Sequence, residues 1–104
     1  MIKTKRFDAA DFLTTKEDIA AFLEISAEEA ANDNDLTCLL NAISVAARAQ
    51  GMMQVAKEAG ISRESLYKSL SPDAKPRFET INKVLRALGM QMVLKPIEDK
   101  SLVA

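Results

Sequence analysis

Polar side chains that could recognise a nucleic acid are concentrated between positions 54 and 77 of this 104-residue chain. An arginine such as Arg63 can form two hydrogen bonds to guanine O6 and N7, and a glutamate such as Glu64 can accept one from a cytosine amine. Serine and tyrosine hydroxyls can bind bases or phosphates, and a glutamine can touch the DNA backbone or orient Arg63. The residues expected to bind DNA are Gln54, Ser62, Arg63, Glu64, Ser65, Tyr67, Lys68, Lys75 and Arg77.

The same sequence offers little that could support catalysis or hold a metal. It has no histidine, and its single cysteine, Cys38, cannot form an internal disulfide or a thiolate cluster. The adjacent acids Glu28 and Glu29 have no accompanying nucleophile, and we interpret them as a solvated helix face. We therefore predict no catalytic residue, no metal site and no cofactor, and we interpret Cys38 as a packing residue rather than a redox sensor.

Two short helices, predicted over Met52–Ala59 and Ser62–Leu70, must position the DNA-binding side chains. A small residue allows the helices to cross closely, a glycine tolerates the positive φ of a tight turn, and two apolar residues flank the capping serine as a hydrophobic staple. The residues with these structural roles are Ala56, Gly60, Ile61 and Leu66. Together they predict a helix-turn-helix, whose second helix enters the DNA major groove. A plain helical hairpin with solvated polar residues is the alternative.

Apolar residues recur at helical spacing on both sides of this pair. A short helix is predicted over Asp8–Leu13, and Thr14 with Glu17 predicts a capping box for a longer one. The apolar face of that longer helix is expected to contain Ile19, Phe22, Leu23, Ala27 and Ala30. Asn32–Asp35 should end it and cap a helix over Leu36–Gln50. Pro76 suits the first turn of a last helix. Its expected apolar face is Phe78, Ile81, Leu85 and Leu88.

The pattern changes after Gly89, because Met90–Lys95 alternates only loosely before it reaches Pro96. We predict one short β-strand here, which would pair with another copy of the chain or with a partner's sheet edge. A loosely packed tail is the alternative. The chain then forms a single domain over 1–104, with acidic helices in 1–35, the helix-turn-helix core in 36–89, and the strand and tail in 90–104.

The charges are unevenly distributed, although the formal net charge is only -1. Residues 1–47 carry 4 basic and 9 acidic side chains, whereas residues 48–86 carry 8 basic and 4 acidic ones. The second segment can approach phosphates, and the first would be repelled by DNA and attracted to a basic protein. No run of about 18 apolar residues is present, so we predict no membrane span.

The stretch Gly51–Pro72, with its continuation over Lys83–Gly89, resembles the addiction-module antidote proteins. These are HigA-like antitoxins with a phage-repressor helix-turn-helix of the Cro/C1 (XRE) type. The string Ser-Arg-Glu-Ser-Leu-Tyr is the most specific part, and the opening over Phe7–Leu23 is also similar. Many phage repressors have Gln where this chain has Met52. The complete fold prediction is an all-α, lambda-repressor-like domain of five to six helices containing a helix-turn-helix, with a short C-terminal β-strand.

The resemblance also implies a function. It implies a cytoplasmic homodimer that neutralises a RelE/HigB-like mRNA-cleaving toxin and represses its own operon by binding double-stranded operator DNA. Such toxins are basic because they bind RNA, which suits the acidic N-terminal half. The residues expected to bind the toxin are Asp18, Phe22, Glu24, Glu28 and Glu29.

Two other functions remain open at this point. One is a stand-alone phage-type transcription regulator, in which Met1–Asp35 only aids dimerisation or packing. The other is a protein-interaction module whose helix-turn-helix does not touch DNA.

Overall fold

The computed structural model describes residues 8–98, in which five α-helices follow a short 3-10 helix over Ala9–Phe12. The helices are α1 (Lys16–Asp33), α2 (Leu36–Gln50), α3 (Met52–Ala59), α4 (Arg63–Ser69) and α5 (Phe78–Ala87). The all-α prediction is confirmed, and the predicted bounds of α2 and α3 are correct to the residue. Residues 1–7 and 99–104, which belong to the predicted N-terminal and C-terminal segments, lie outside the described residues.

The start of α1 differs from the predicted capping box by one residue. Thr15 is the N-cap, because its Oγ1 accepts a hydrogen bond from the backbone N–H of Asp18 at 3.0 Å. Asp18 Oδ2 in turn accepts from the N–H groups of Thr14 and Thr15 and from the Thr14 hydroxyl, at 3.1 to 3.2 Å. The sequence offers two overlapping threonine–acid pairs at the same spacing, and only the register of the helix decides between them. The bonds from Thr14 and Thr15 hold the pKa of Asp18 below its ordinary value.

The link between α1 and α2 forms as predicted. Asn34 adopts a left-handed conformation with φ 51°, so the backbone turns out of α1 at this residue. Asp35 then caps α2, since its Oδ1 accepts from the N–H of Thr37 at 2.9 Å. An asparagine tolerates the left-handed conformation and an aspartate is a strong N-cap, so this pair reverses the chain direction within two residues.

Buried side chains from all five helices form one core. The largest fully buried residues are Ile43, Val55, Leu66 and Val84, contributed by α2, α3, α4 and α5 in turn. Helix α1 packs against α2, whereas α3 contacts α2, α4 and α5. Leu66 of α4 is the fully buried leucine of this set, and truncating such a leucine to alanine typically lowers the free energy of unfolding by about 2–5 kcal/mol. The α3–α4 pair is therefore held by the same core that holds the rest of the described chain.

The buried face of α1 differs from the expected one in a single turn. Ser26 is buried, and Ala27, which was predicted to face the core, is exposed. Phe22 is half-buried at the edge of the core. A small serine close to a neighbouring helix can be enclosed without a large cavity, so polarity alone misled the sequence-based prediction here. On α2, Cys38 is exposed, so its interpretation as a packing residue is wrong.

The last helix begins later than predicted. Pro76 precedes it, Arg77 is the N-cap, and Phe78 is the first helical residue, with 75% of its surface exposed. The buried stripe contains Val84 in place of Phe78, together with Leu85 and Leu88. Both sets of residues fit a helical spacing. Periodicity alone does not show at which turn the helix first contacts the core, so it could not choose between them.

The predicted strand over Met90–Lys95 is wrong, since no strand occurs in residues 8–98. Gly89, at φ 83°, closes α5 in a left-handed turn, and the N–H of Met90 bonds the carbonyl of Leu85 at 2.9 Å. Met90 still packs on the core, but residues 91–98 are exposed, and Leu94 is 96% exposed. A strand needs a neighbour to satisfy its backbone groups, and the described chain offers none.

The longest helix described between residues 8 and 98 is neither apolar enough nor uncharged enough to cross a membrane, and the shorter ones do not qualify either.

Replacing Asp18 with alanine removes the acceptor for three hydrogen bonds at the start of α1, so we expect a lower free energy of unfolding at neutral pH. The pKa of Asp18 is depressed in the folded chain, so its stabilisation is present above the unfolded-state pKa and is lost as the pH falls through the folded-state value. The difference between wild type and Asp18→Ala should therefore shrink in urea titrations run at progressively lower pH. Glu17→Ala is the matched control. An equal loss in Glu17→Ala, or a loss in Asp18→Ala that does not change with pH, would contradict this assignment of the cap.

Candidate nucleic-acid interface

The turn between α3 and α4 is set by Gly60, which has φ 73°. The N–H groups of Gly60 and Ile61 bond the carbonyls of Lys57 and Ala56 at 3.2 and 3.1 Å, closing α3 in a tight left-handed turn. A Cβ atom added at Gly60 would meet no atom within 4 Å, so the constraint here is the backbone conformation and not a lack of space.

Three apolar side chains around this turn fix how α4 leaves it. Ala56 and Leu66 are buried, and Ile61 is half-buried against the same core. Ile61 and Leu66 stand at the positions of a hydrophobic staple, before the cap and at the fourth residue of the helix. Since Leu66 is fully buried, the opposite side of α4 must face solvent.

Two serines form the cap of α4. The Ser62 hydroxyl accepts from the N–H of Ser65 at 3.0 Å and donates to Ser65 Oγ at 2.8 Å. The two hydroxyls therefore bind each other while Ser62 caps the helix. Both side chains are exposed.

The outward face of α4 carries a contact that was not foreseen from the sequence. The guanidinium carbon of Arg63 lies 5.5 Å from the centroid of the Tyr67 ring, an exposed cation–π contact worth about 0.5–1 kcal/mol. Tyr67 is 48% exposed, and Glu64 and Lys68 lie beside this pair in solvent. The i,i+4 spacing of an arginine and a tyrosine was the signal that could have predicted it. The contact restrains Arg63 along the helix face.

The remaining residues expected to bind DNA lie on neighbouring elements and are all exposed. Gln54 donates a hydrogen bond to Glu58 Oε1 on its own helix, so in this structure its partner is not Arg63. The exposed Lys75 lies in the loop before α5, and Arg77 occupies the N-cap position of that helix without a capping hydrogen bond from its side chain. Ser71 orders the same loop, because its hydroxyl donates to the carbonyl of Lys68 at 3.0 Å.

Two basic residues of the positive segment are already in ion pairs. Lys83 Nζ lies 3.3 Å from Glu79 Oε1 on α5, and Arg48 is paired more closely. Arg48 Nη1 donates to Asp8 Oδ2 at 2.9 Å, which ties α2 to the start of the 3-10 helix. This bond, with a second one from the N–H of Ala10, lowers the pKa of Asp8. Arg48 therefore contributes less to a phosphate-binding surface than the charge count suggests. Among residues 8–98, no three cysteine or acidic side chains come together as a metal site.

The residues expected to bind a toxin all lie on α1. Glu24, Glu28 and Glu29 are exposed, Phe22 is half-buried, and Asp18 is partly exposed at the helix start. Helix α1 packs on α2, while α4 packs on α3, so the acidic and basic surfaces belong to different helix pairs.

The chain is similar to known proteins over most of its length. A family model described as "probable addiction module antidote protein" matches residues 3–96. An uncharacterized protein of Haemophilus influenzae (strain Rd) is 42% identical over 87 residues, which cover 84% of this chain and 86% of that protein. No solved structure matches the chain. The span matched by the family model includes all five α-helices, and therefore both the acidic α1 and the α3–α4 pair.

If Arg63 contacts a base, as the sequence predicts, Arg63→Ala should weaken binding to the DNA upstream of the protein's own gene by about 1–3 kcal/mol, because a bidentate contact is lost. The affinity can be measured by fluorescence anisotropy against promoter and scrambled fragments at one fixed salt concentration. Arg86→Ala, which removes the same charge from an exposed position on α5, is the matched control. Equal losses in both variants would mean that only charge matters and would contradict a base contact by Arg63.

Proposed function

The chain belongs to the family of probable addiction module antidote proteins, and from this premise we propose that it is the antitoxin of a type II toxin–antitoxin module. It binds and neutralises a basic RelE/HigB-like toxin that cleaves mRNA. It also represses its own operon by sequence-specific binding to double-stranded DNA. Its role is binding and regulation, not catalysis.

The observation that carries the DNA-binding part is the division of α4 into a buried and a polar side. Leu66 is fully buried, and the side chains from Ser62 to Ser65, with Tyr67 and Lys68, are exposed. A short helix so anchored can enter a major groove with its N-terminal residues leading. The Arg63–Tyr67 contact supports base recognition, because a restrained guanidinium loses less conformational entropy on binding.

The proposed repressor acts as a homodimer. Helix α4 contains only 7 residues, so one copy can touch few base pairs. The net charge of -1 also limits non-specific attraction to phosphates. Two copies bound to half-sites about one helical turn apart would supply both the affinity and the specificity that one copy lacks.

The toxin-binding part rests on α1 and its charge. Its exposed acids Glu24, Glu28 and Glu29 are complementary to a protein whose surface is built to hold RNA. Because α1 packs on α2 and α4 packs on α3, toxin and operator can be bound by different surfaces of one molecule.

The family favours this function over a stand-alone phage-type regulator. In that second function, residues 1–35 would serve only packing or dimerisation. Ile19 and Leu23 of α1 do complete the core, but the outward acids of the same helix contribute nothing to it. Their presence is accounted for by a basic partner.

Co-expression with the adjacent open reading frame tests the toxin-binding part. We expect wild type to abolish toxicity of that frame and to co-purify with its product. The double variant Glu24→Lys/Glu28→Lys should lose protection, because like charges would face the toxin, while its promoter binding is unchanged. Substitutions are preferable to deleting α1, since deletion would remove Ile19 and Leu23 from the core.

The matched control is Asp73→Lys/Glu98→Lys, which reverses the same number of charges at exposed positions outside α1. It should protect as wild type does. Protection by the α1 variant, or failure of both variants alike, would contradict a toxin surface on α1.

A further inference from the structure

A second stripe runs along α1, distinct from its buried face. It contains Asp18, Phe22, Ile25 and Glu29, which are spaced by four, three and four residues and therefore share one side of the helix. We call these four residues the outer stripe. Its two ends are acidic and its middle is apolar.

Ile25 lies at the centre of the outer stripe and contributes little to the core of its own chain. It is 58% exposed, whereas Ile19 and Leu23 on the opposite face are buried against α2. At helical geometry Ile25 lies about 130° around the axis from the centre of that buried face. Phe22, half-buried at the edge of the core, continues the apolar surface inward.

The charges around this apolar centre restrict what can cover it. Glu28 and Glu29 lie one helical turn after Ile25, and all three side chains are exposed. At the other end Asp18 accepts its three hydrogen bonds through Oδ2, and Oδ1 receives none of them. Nucleic acids and anionic membranes are repelled by such a surface, and a second copy would set acids against acids. A basic protein is the occupant whose charge fits.

We propose that Ile25 inserts into an apolar pocket of the basic toxin, with the exposed part of Phe22 beside it. Lysine or arginine side chains of the toxin border that pocket and face Asp18 and Glu29. The proposal rests on the proposed antitoxin function and adds to it the residue that anchors the complex. An apolar residue enclosed by charged neighbours is the arrangement found at the centre of many interfaces, where one or two buried side chains dominate the affinity.

The test measures binding of the purified product of the adjacent open reading frame to the full chain by isothermal titration calorimetry. Ile25→Ala should weaken binding about thirtyfold or more, as expected for an interface anchor. Ile25→Met, which conserves most of the volume, should restore most of the affinity. Leu94→Ala, an equivalent truncation at a position 96% exposed outside α1, should bind as wild type does.

Glu29→Lys provides an independent readout. Reversing a charge at the border of the pocket should slow association and reduce its dependence on salt, while Ile25→Ala should mainly speed dissociation. Thermal melting and promoter binding of all four variants should match wild type, because the substituted side chains are exposed.

The results of these measurements distinguish failure of the antitoxin function from failure of the outer stripe as the contact. If wild type does not bind the adjacent protein, the proposed antitoxin function fails, and this inference fails with it. If wild type binds and Ile25→Ala binds equally well, the function stands and the outer stripe is not the contact. A change in the oligomeric state of Ile25→Ala in the absence of the toxin would instead assign the stripe to self-association and overturn the proposal.

Discussion

The close approach of α3 and α4 is the constraint on which the rest of the molecule depends. Ala56 is small enough to let the two helices meet, Gly60 reverses the chain at φ 73°, and Leu66 fills the space beneath. Because Leu66 is fully buried, the rotation of α4 about its own axis is fixed. That rotation directs Arg63 and Tyr67 to solvent, so the chemistry of the recognition surface follows from a packing requirement.

The same logic explains how one small chain can present two surfaces of opposite charge. Helix α2 links the two surfaces, since both α1 and α3 pack on it. The acids of α1 and the basic residues around α4 therefore lie on different packed helix pairs. A net charge of -1 is therefore the sum of two local fields, each suited to a different partner.

Much of this was predictable from sequence, because the informative residues act locally. Asp35 and Ser62 cap helices through bonds to residues two or three positions away, and Gly60 and Asn34 adopt backbone angles that few residues tolerate.

The features that could not be predicted depend on helix register or on contacts between residues distant in sequence. The choice of Thr15 over Thr14, the burial of Ser26 and the exposure of Phe78 are decided by where a helix meets the core. The absence of a strand between residues 90 and 98 shows that a loose alternation of apolar residues is insufficient without a second strand to receive its hydrogen bonds.

We propose that DNA and toxin are bound by separate surfaces of one molecule, the toxin on α1 and the DNA around α4. Amide chemical-shift mapping of the isotope-labelled chain, titrated first with promoter DNA and then with the product of the adjacent reading frame, tests it most directly. We expect DNA to perturb residues between Met52 and Phe78 and the toxin to perturb α1, and we expect both sets of perturbations to persist in a ternary complex. Perturbation of the same residues by both partners, or displacement of one partner by the other from a shared surface, would contradict it.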